Sequence, residues 1–189
     1  VDLLVDRLEE AGIESQGWRG RFEREPWDPM SVVEAGRVGP DEDAMDPRDA
    51  VAALDRAMPD NAIVVAGAGH FWSFVNKGLS GRGGRSFLYC LGFGSIGQAL
   101  PVAVGAAVAN PARPVVVVDG DSSVLMHIAE LDTAVRKNVN LVAFVMDDDA
   151  MGAELHKLRL KQVPDAAALV PTPRLDLVAQ GLGAGGAVI

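Results

Sequence analysis

Two kinds of apolar spacing alternate along the chain. Val1, Leu4, Val5, Leu8, Ala11 and Ile13 recur at helical intervals, and with Gly12 as a stop they predict a short amphipathic helix over residues 1–13. Residues 14–45 hold no sustained period and carry Trp18, Trp27, prolines and the acids Asp41, Glu42 and Asp43. An unpatterned stretch of that length is unusual inside one domain. Residues 1–45 are therefore expected to be the tail of a preceding domain plus a connector. From Asp46 the pattern is regular. Asp46 can cap a helix with Pro47 in its first turn and Ala50, Val51, Ala53, Leu54 and Met58 on one side. A β-branched run over 62–66 predicts a strand, 67–69 a turn and 70–77 a helix. A second strand is expected over 86–91, an Ala-rich helix over 97–110, a four-valine strand over 115–118, a helix over 124–137 and an all-apolar strand over 141–146. A shorter helix follows Ala150, then a loop marked by Pro164, Pro171 and Pro173, a helix over 174–181, and an apolar triplet, 187–189, that reads as the start of a strand.

Strands apolar on both faces, separated by helices, predict an α/β fold: a doubly wound parallel sheet with helices on both faces. Ligands in such sheets sit beyond the carboxyl ends of the strands. Each Gly/Asp cluster falls there: 67–70, 92–97, 119–123 and 147–149. A domain over 46–189 is expected, incomplete at its C-terminal end because its last strand is only begun, and apolar surface is expected to be exposed as a result.

Composition narrows the function classes. The 189 residues are 49% hydrophobic and 23% charged, as in a globular domain, and the net charge of −9 argues against broad binding to nucleic acid or anionic membranes. A single cysteine, Cys90, forms no internal disulfide, so a reducing, cytoplasmic setting is the simplest expectation. Cys90 itself is expected to be a small core residue. No apolar run reaches the roughly 18 residues of a membrane span.

Asp121 and Asp148 carry the chemistry. A helix of about 14 residues runs roughly 21 Å from the sheet edge. A strand of about 6 residues runs roughly 20 Å back. The two carboxylates thus return to one edge. Taken singly, each reads as a helix cap. As a pair beside glycine and a helix start, they suit a hard divalent cation that bridges to a phosphate.

The residues then resemble a known family. Gly120-Asp121-Ser122-Ser123 through Asp147-Asp148 resembles the Gly-Asp-Gly…Asn-Asn motif of thiamine-diphosphate enzymes. Gly92-Phe93-Gly94-Ser95-Ile96-Gly97 and the Ala-rich helix after it resemble another family segment, and 151–158 is similar to the stretch after the metal motif in acetolactate-synthase-like members of the pyruvate oxidase/decarboxylase type. The resemblance covers 46–189 and points to the C-terminal, cofactor-diphosphate-binding domain. It implies Mg²⁺ held by the side chains of Asp121 and Asp148 and the carbonyl of Ala150. It implies Gly69, His70, Gly120, Ser122 and Ser123 around the diphosphate, Gly94 and Ser95 beside the aminopyrimidine, Ile96 as an apolar wedge, and Met151 and Gly152 close to the cofactor. It also implies a transferase or lyase acting on 2-keto acids by decarboxylation or carboligation, and a homo-oligomer. Its activating glutamate would come from a pyrimidine-binding domain on another segment or chain. Two departures from the motif stand out: Ser122 replaces a glycine, and Asp147-Asp148 replaces an asparagine pair, which adds negative charge.

Two other readings stay open. Gly92, Gly94 and Gly97 form a G-x-G-x-x-G after a strand, and Asp119 lies 22 residues beyond Gly97, as in an NAD-binding Rossmann domain. A non-catalytic assembly subunit is the other. His127 is expected to be solvated, His156 to face solvent or substrate, and Trp72 to anchor a helix. With no activating glutamate domain in residues 1–189, the chain by itself is expected to give no turnover; pyruvate consumption with thiamine diphosphate and Mg²⁺ measures this, and any turnover overturns it.

Overall fold

Four apolar runs become four parallel strands: β1 (Ile63–Ala66), β2 (Phe87–Tyr89), β3 (Val115–Gly120) and β4 (Leu141–Met146). They lie in the order β2-β1-β3-β4. The computed structural model describes residues 6–7, 9–12, 44–80 and 85–189, which belong to two units, 1–35 and 36–189. In the first unit, residues 6–7 and 9–10 are helical, and the Ala11 and Gly12 N–H groups donate to the carbonyls of Arg7 and Glu9. The rest of the helix expected over 1–13, nearly all of the connector, Trp18, Trp27 and the acidic run 41–43 lie outside the described residues. The sheet is in the second unit.

Alternate residues of the central strands feed two cores. Val64, Ala66, Val116 and Val118 face helices α1 (Pro47–Ala57) and α2 (Trp72–Gly78), where Val51 and Val75 are fully buried. Ile63, Val65, Val115 and Val117 face α3 (Ala99–Ala109), packing on Ala99, Leu100, Ala103 and Ala107. Burial on both faces explains why β1 and the first four residues of β3, 115–118, are apolar throughout, and the doubly wound fold is the one expected. Local chemistry sets the helix starts: Asp46 caps α1, its Oδ1 accepting from the Arg48 N–H at 2.8 Å, with Pro47 following. Cys90 is a buried free thiol in the α3-side core, and burial, then the charge of Asp119, raises its pKa.

The helix expected over 124–137 is instead two, α4 (Asp121–Met126) and α5 (Glu130–Arg136), joined by a turn at 127–129. The break lets the end of α4 lie on Gly97 (φ +86°): a Cβ there would come 3.0 Å from His127 Nδ1 and 3.1 Å from Met126 Cβ. That contact comes from a distant loop, so the local apolar period does not reveal it. After α6 (Gly152–Leu160) and α7 (Leu175–Gly181), the triplet 187–189 forms no strand, and Val188 and Ile189 are exposed. Three residues hold no extended pairing without a ladder partner, and β4 pairs only with β3 among the described strands. Val142 of β4 and Leu177 of α7 also expose apolar surface. No helix among the described residues is long and apolar enough to cross a membrane.

Leu100 is the largest fully buried side chain of the α3-side core. Leu100→Ala is expected to cost about 2–5 kcal/mol, read as a lower urea midpoint with an unchanged m-value.

Candidate functional site

The ladder between β3 and β4 runs in register from Val115↔Leu141 to Gly120↔Met146. The residue after each strand therefore emerges beside its counterpart, which puts Asp121 next to Asp147. Carboxylate oxygens of Asp121, Asp147 and Asp149 lie within 4.8 Å of one another. Asp121 is 2% exposed, whereas Asp147 and Asp149 open to solvent. Asp121 Oδ1 accepts from the Ser122 N–H at 2.6 Å, and Asp121 Oδ2 accepts from the Thr172 hydroxyl at 2.8 Å. The Thr172 N–H donates to Asp149 Oδ1 at 2.6 Å. Loss of water raises the Asp147 pKa, and the neighbouring Asp121 and Asp149 raise it further.

Asp148 turns a different way. Its Oδ1 accepts from the Ala150 N–H at 3.2 Å, and its Oδ2 fills the space where a Cβ on Gly152 would sit. Its pKa is raised by desolvation and then by the charge of Asp121, and it is held back in part by His70 and His156. The rings of His70 and His156 lie 4.3 Å apart, and desolvation followed by the His156 charge lowers the His70 pKa.

Asp119, in β3, and Asp121, the first residue of α4, are two residues apart and do different work. Asp119 is 1% exposed; its Oδ2 accepts from the Ser123 hydroxyl at 2.7 Å and its Oδ1 from the Gly120 N–H at 3.0 Å. A Cβ on Gly67 would collide with Asp119 Oδ1, so only glycine fits above this carboxylate. Ser123 in turn accepts from the Gly97 N–H at 2.7 Å. A hydroxyl has one proton. Ser123 spends it on Asp119, so this residue ties the 92–97 loop to β3 and leaves donation toward a ligand to Ser122. The Ser122 hydroxyl is buried and has no partner among the described residues.

Gly69, His70, Gly94, Ser95, Ile96, Gly120, Asp121, Ser122, Ser123, Asp148, Ala150, Met151 and Gly152 all border one broad open cleft, which extends from the carboxyl ends of the strands along β4. Thr172 lines it too. The only local sign of Thr172 is its place between two prolines. The strand register sets Asp147, rather than Asp148, beside Asp121.

The NAD reading does not survive this geometry. Asp119 is sealed in the core and cannot reach a ribose. The G-x-G-x-x-G follows β2, an edge strand, and the helix after it begins only at Ala99.

The sequence profile of the thiamine pyrophosphate enzyme C-terminal TPP-binding domain matches residues 67–189. The chain belongs to this thiamine pyrophosphate enzyme family. It is 30% identical over 151 residues to acetolactate synthase 3, chloroplastic, of Brassica napus, covering 79% of this chain and 22% of that protein. It is 33% identical over 143 residues to sulfoacetaldehyde acetyltransferase of Alcaligenes xylosoxydans xylosoxydans, covering 75% of this chain and 23% of that one. Among solved structures, the thiamine diphosphate-dependent 4-hydroxybenzoylformate decarboxylase of Rhodococcus jostii matches with a TM-score of 0.70 and 25% identity, covering 80% of this chain and 30% of that one. The chain spans less than a third of each of these relatives.

For this thiamine pyrophosphate family member, Asp119 generates a pH signature. Burial raises its pKa from 3.8 to about 6, against the lowering effect of Ser123 and Gly120. The folded state then binds more protons than the unfolded state between those values, so stability falls as pH rises from about 4 to about 7. Asp119→Asn removes this term. The variant's stability relative to wild type is expected to shift in its favour by about 2–3 kcal/mol across that interval, as read by urea melts at each pH.

Proposed function

We propose that this chain supplies the metal- and diphosphate-binding part of a thiamine-diphosphate-dependent transferase or lyase that decarboxylates or condenses 2-keto acids. The observation that carries the reading is the convergence of carboxylate oxygens from Asp121, Asp147 and Asp149, within 4.8 Å of one another, beside the buried and unpartnered Ser122 hydroxyl. An all-oxygen, carboxylate-rich donor set suits Mg²⁺, which keeps further positions for phosphate oxygens and water. A buried hydroxyl without a partner suits a ligand oxygen.

In this reading Asp121 is the central ligand. The family resemblance adds Asp148 and the Ala150 carbonyl, while the converging oxygens favour Asp147 and Asp149. Gly69, His70, Gly120 and Ser122 surround the diphosphate, with Ser123 holding the loop behind it. Gly94, Ser95 and Ile96 hold the aminopyrimidine end, and Met151 and Gly152 close the side. When bound, thiamine diphosphate supplies the electron sink for loss of CO₂ from a 2-keto acid. The protein's part is to bind, to orient and to exclude water. A pyrimidine-binding domain with the activating glutamate is the expected partner, on another segment or chain of a homo-oligomer. The matched relatives are named as a synthase, an acetyltransferase and a decarboxylase, which keeps both transfer and lyase chemistry within the proposal.

Mn²⁺ titration followed by electron paramagnetic resonance tests the reading. Wild type is expected to bind, and Asp121→Asn to weaken binding by more than about tenfold. Loss on Asp148→Asn alone favours the set drawn from the resemblance, and loss on Asp149→Asn alone favours the converging set. NADH binding in EDTA, with no Mn²⁺ binding, overturns the reading.

A further inference from the structure

The segment after α6 returns over the acidic cluster. The Met151 N–H donates to the Ala168 carbonyl at 2.8 Å, the Val170 N–H donates to the Asp149 carbonyl at 2.7 Å, and Ala150 forms an antiparallel bridge with Leu169. This lacing delivers Thr172 to the cluster, where its hydroxyl reaches Asp121 at 2.8 Å and its N–H reaches Asp149 at 2.6 Å. Asp121 starts the helix after β3, and Asp149 lies in the loop after β4, so one residue holds carboxylates from two different loops. Pro173 restricts Thr172 to extended backbone, and Pro171 fixes its own φ, so little further ordering is needed to keep Thr172 in place.

These carboxylates need a restraint. At short range like charges repel, and among the described residues no lysine or arginine forms an ion pair with Asp121, Asp147 or Asp149. A carboxylate oxygen has two lone-pair sites, so one donor on Asp121 Oδ2 and one on Asp149 Oδ1 still leave room for a metal bond. Thr172 therefore orients the ligands without blocking them. Independently of these bonds, the Ser122 hydroxyl, on a residue 8% exposed that lines the same cleft, has no partner among the described residues, a donor left for a ligand oxygen.

We propose that Thr172 is a positioning residue of the cation site, its hydroxyl and N–H bridging Asp121 and Asp149 so that their oxygens converge before a divalent cation arrives. The inference rests on the reading of this cluster as a cation site. Partners of this kind, outside the ligand set, typically contribute 10–100-fold to metal affinity.

Mn²⁺ affinity of the cofactor-free protein tests it, with far-ultraviolet circular dichroism confirming the fold of each variant. Thr172→Val and Thr172→Ala both remove the hydroxyl and are expected to raise the Mn²⁺ dissociation constant about 10–100-fold. Thr172→Ser keeps the hydroxyl and is expected to retain wild-type affinity, which a role in packing alone would not produce. Wild-type affinity in Thr172→Val or Thr172→Ala, or tighter binding, which would mark Thr172 as a plug, overturns the inference and leaves the cation site standing. Absence of Mn²⁺ binding in wild type overturns both.

Discussion

The in-register pairing of β3 with β4 places the chemistry of this domain. Six consecutive residue pairs end at Gly120↔Met146, and the next residues out are both aspartates. Two acids that would separate in solution are thereby set side by side at the sheet edge, and one of them is buried. The apolar side chains beneath the ladder hold that register. A slip of one residue would turn each valine to the opposite face and exchange the two cores, at a far greater cost than the repulsion between two carboxylates. The sheet core thus imposes the acidic cluster, and the loops relieve it with the Ser122 N–H, the Thr172 hydroxyl and the Thr172 N–H.

Beneath the cluster lies a second polar layer whose function is structural. Asp119, Ser123, the Gly97 N–H and the space provided by Gly67 form a closed chain of contacts that joins three strand-end loops. Asp119 is still within β3 and is buried, while Asp121, past the strand end at the start of α4, borders the cleft. Near-identical residues at a two-residue spacing therefore divide into an anchor and a candidate ligand. Fixing the 92–97 loop to β3 also settles where Gly94, Ser95 and Ile96 stand relative to Asp121.

Strand existence, the Asp46 cap and the doubly wound order of elements were legible because each rests on local pattern: β-branched runs, a cap residue ahead of proline, and glycine at the strand ends. The out-and-back length argument brought the Asp121 region and the 147–149 run to one edge, but an excursion of roughly 20 Å read from residue counts does not choose among three consecutive aspartates. Strand register sets Asp147 beside Asp121 and the Thr172 contact draws in Asp149, and both depend on partners outside the run. The break at 127–129 depends on Gly97, about 30 residues earlier in sequence. Thr172 lies 51 residues from its hydroxyl's acceptor. Neither contact leaves a mark on the local pattern at one end alone.

Charge gives the cluster an order of events. Where the family motif has an asparagine pair, this chain has Asp147 and Asp148, with Asp149 following. An anion approaching the cleft meets carboxylates before it meets the Ser122 hydroxyl, and no lysine or arginine among the described residues pairs with Asp121, Asp147 or Asp149 to offset them. A divalent cation inverts that local field, because it is the largest charge in the site once seated. Under the proposed reading, the substitution that disfavours a free diphosphate also favours a free metal ion. Metal occupancy in that reading comes before diphosphate affinity, and the convergence of acids that looks unfavourable in isolation is what favours the metal.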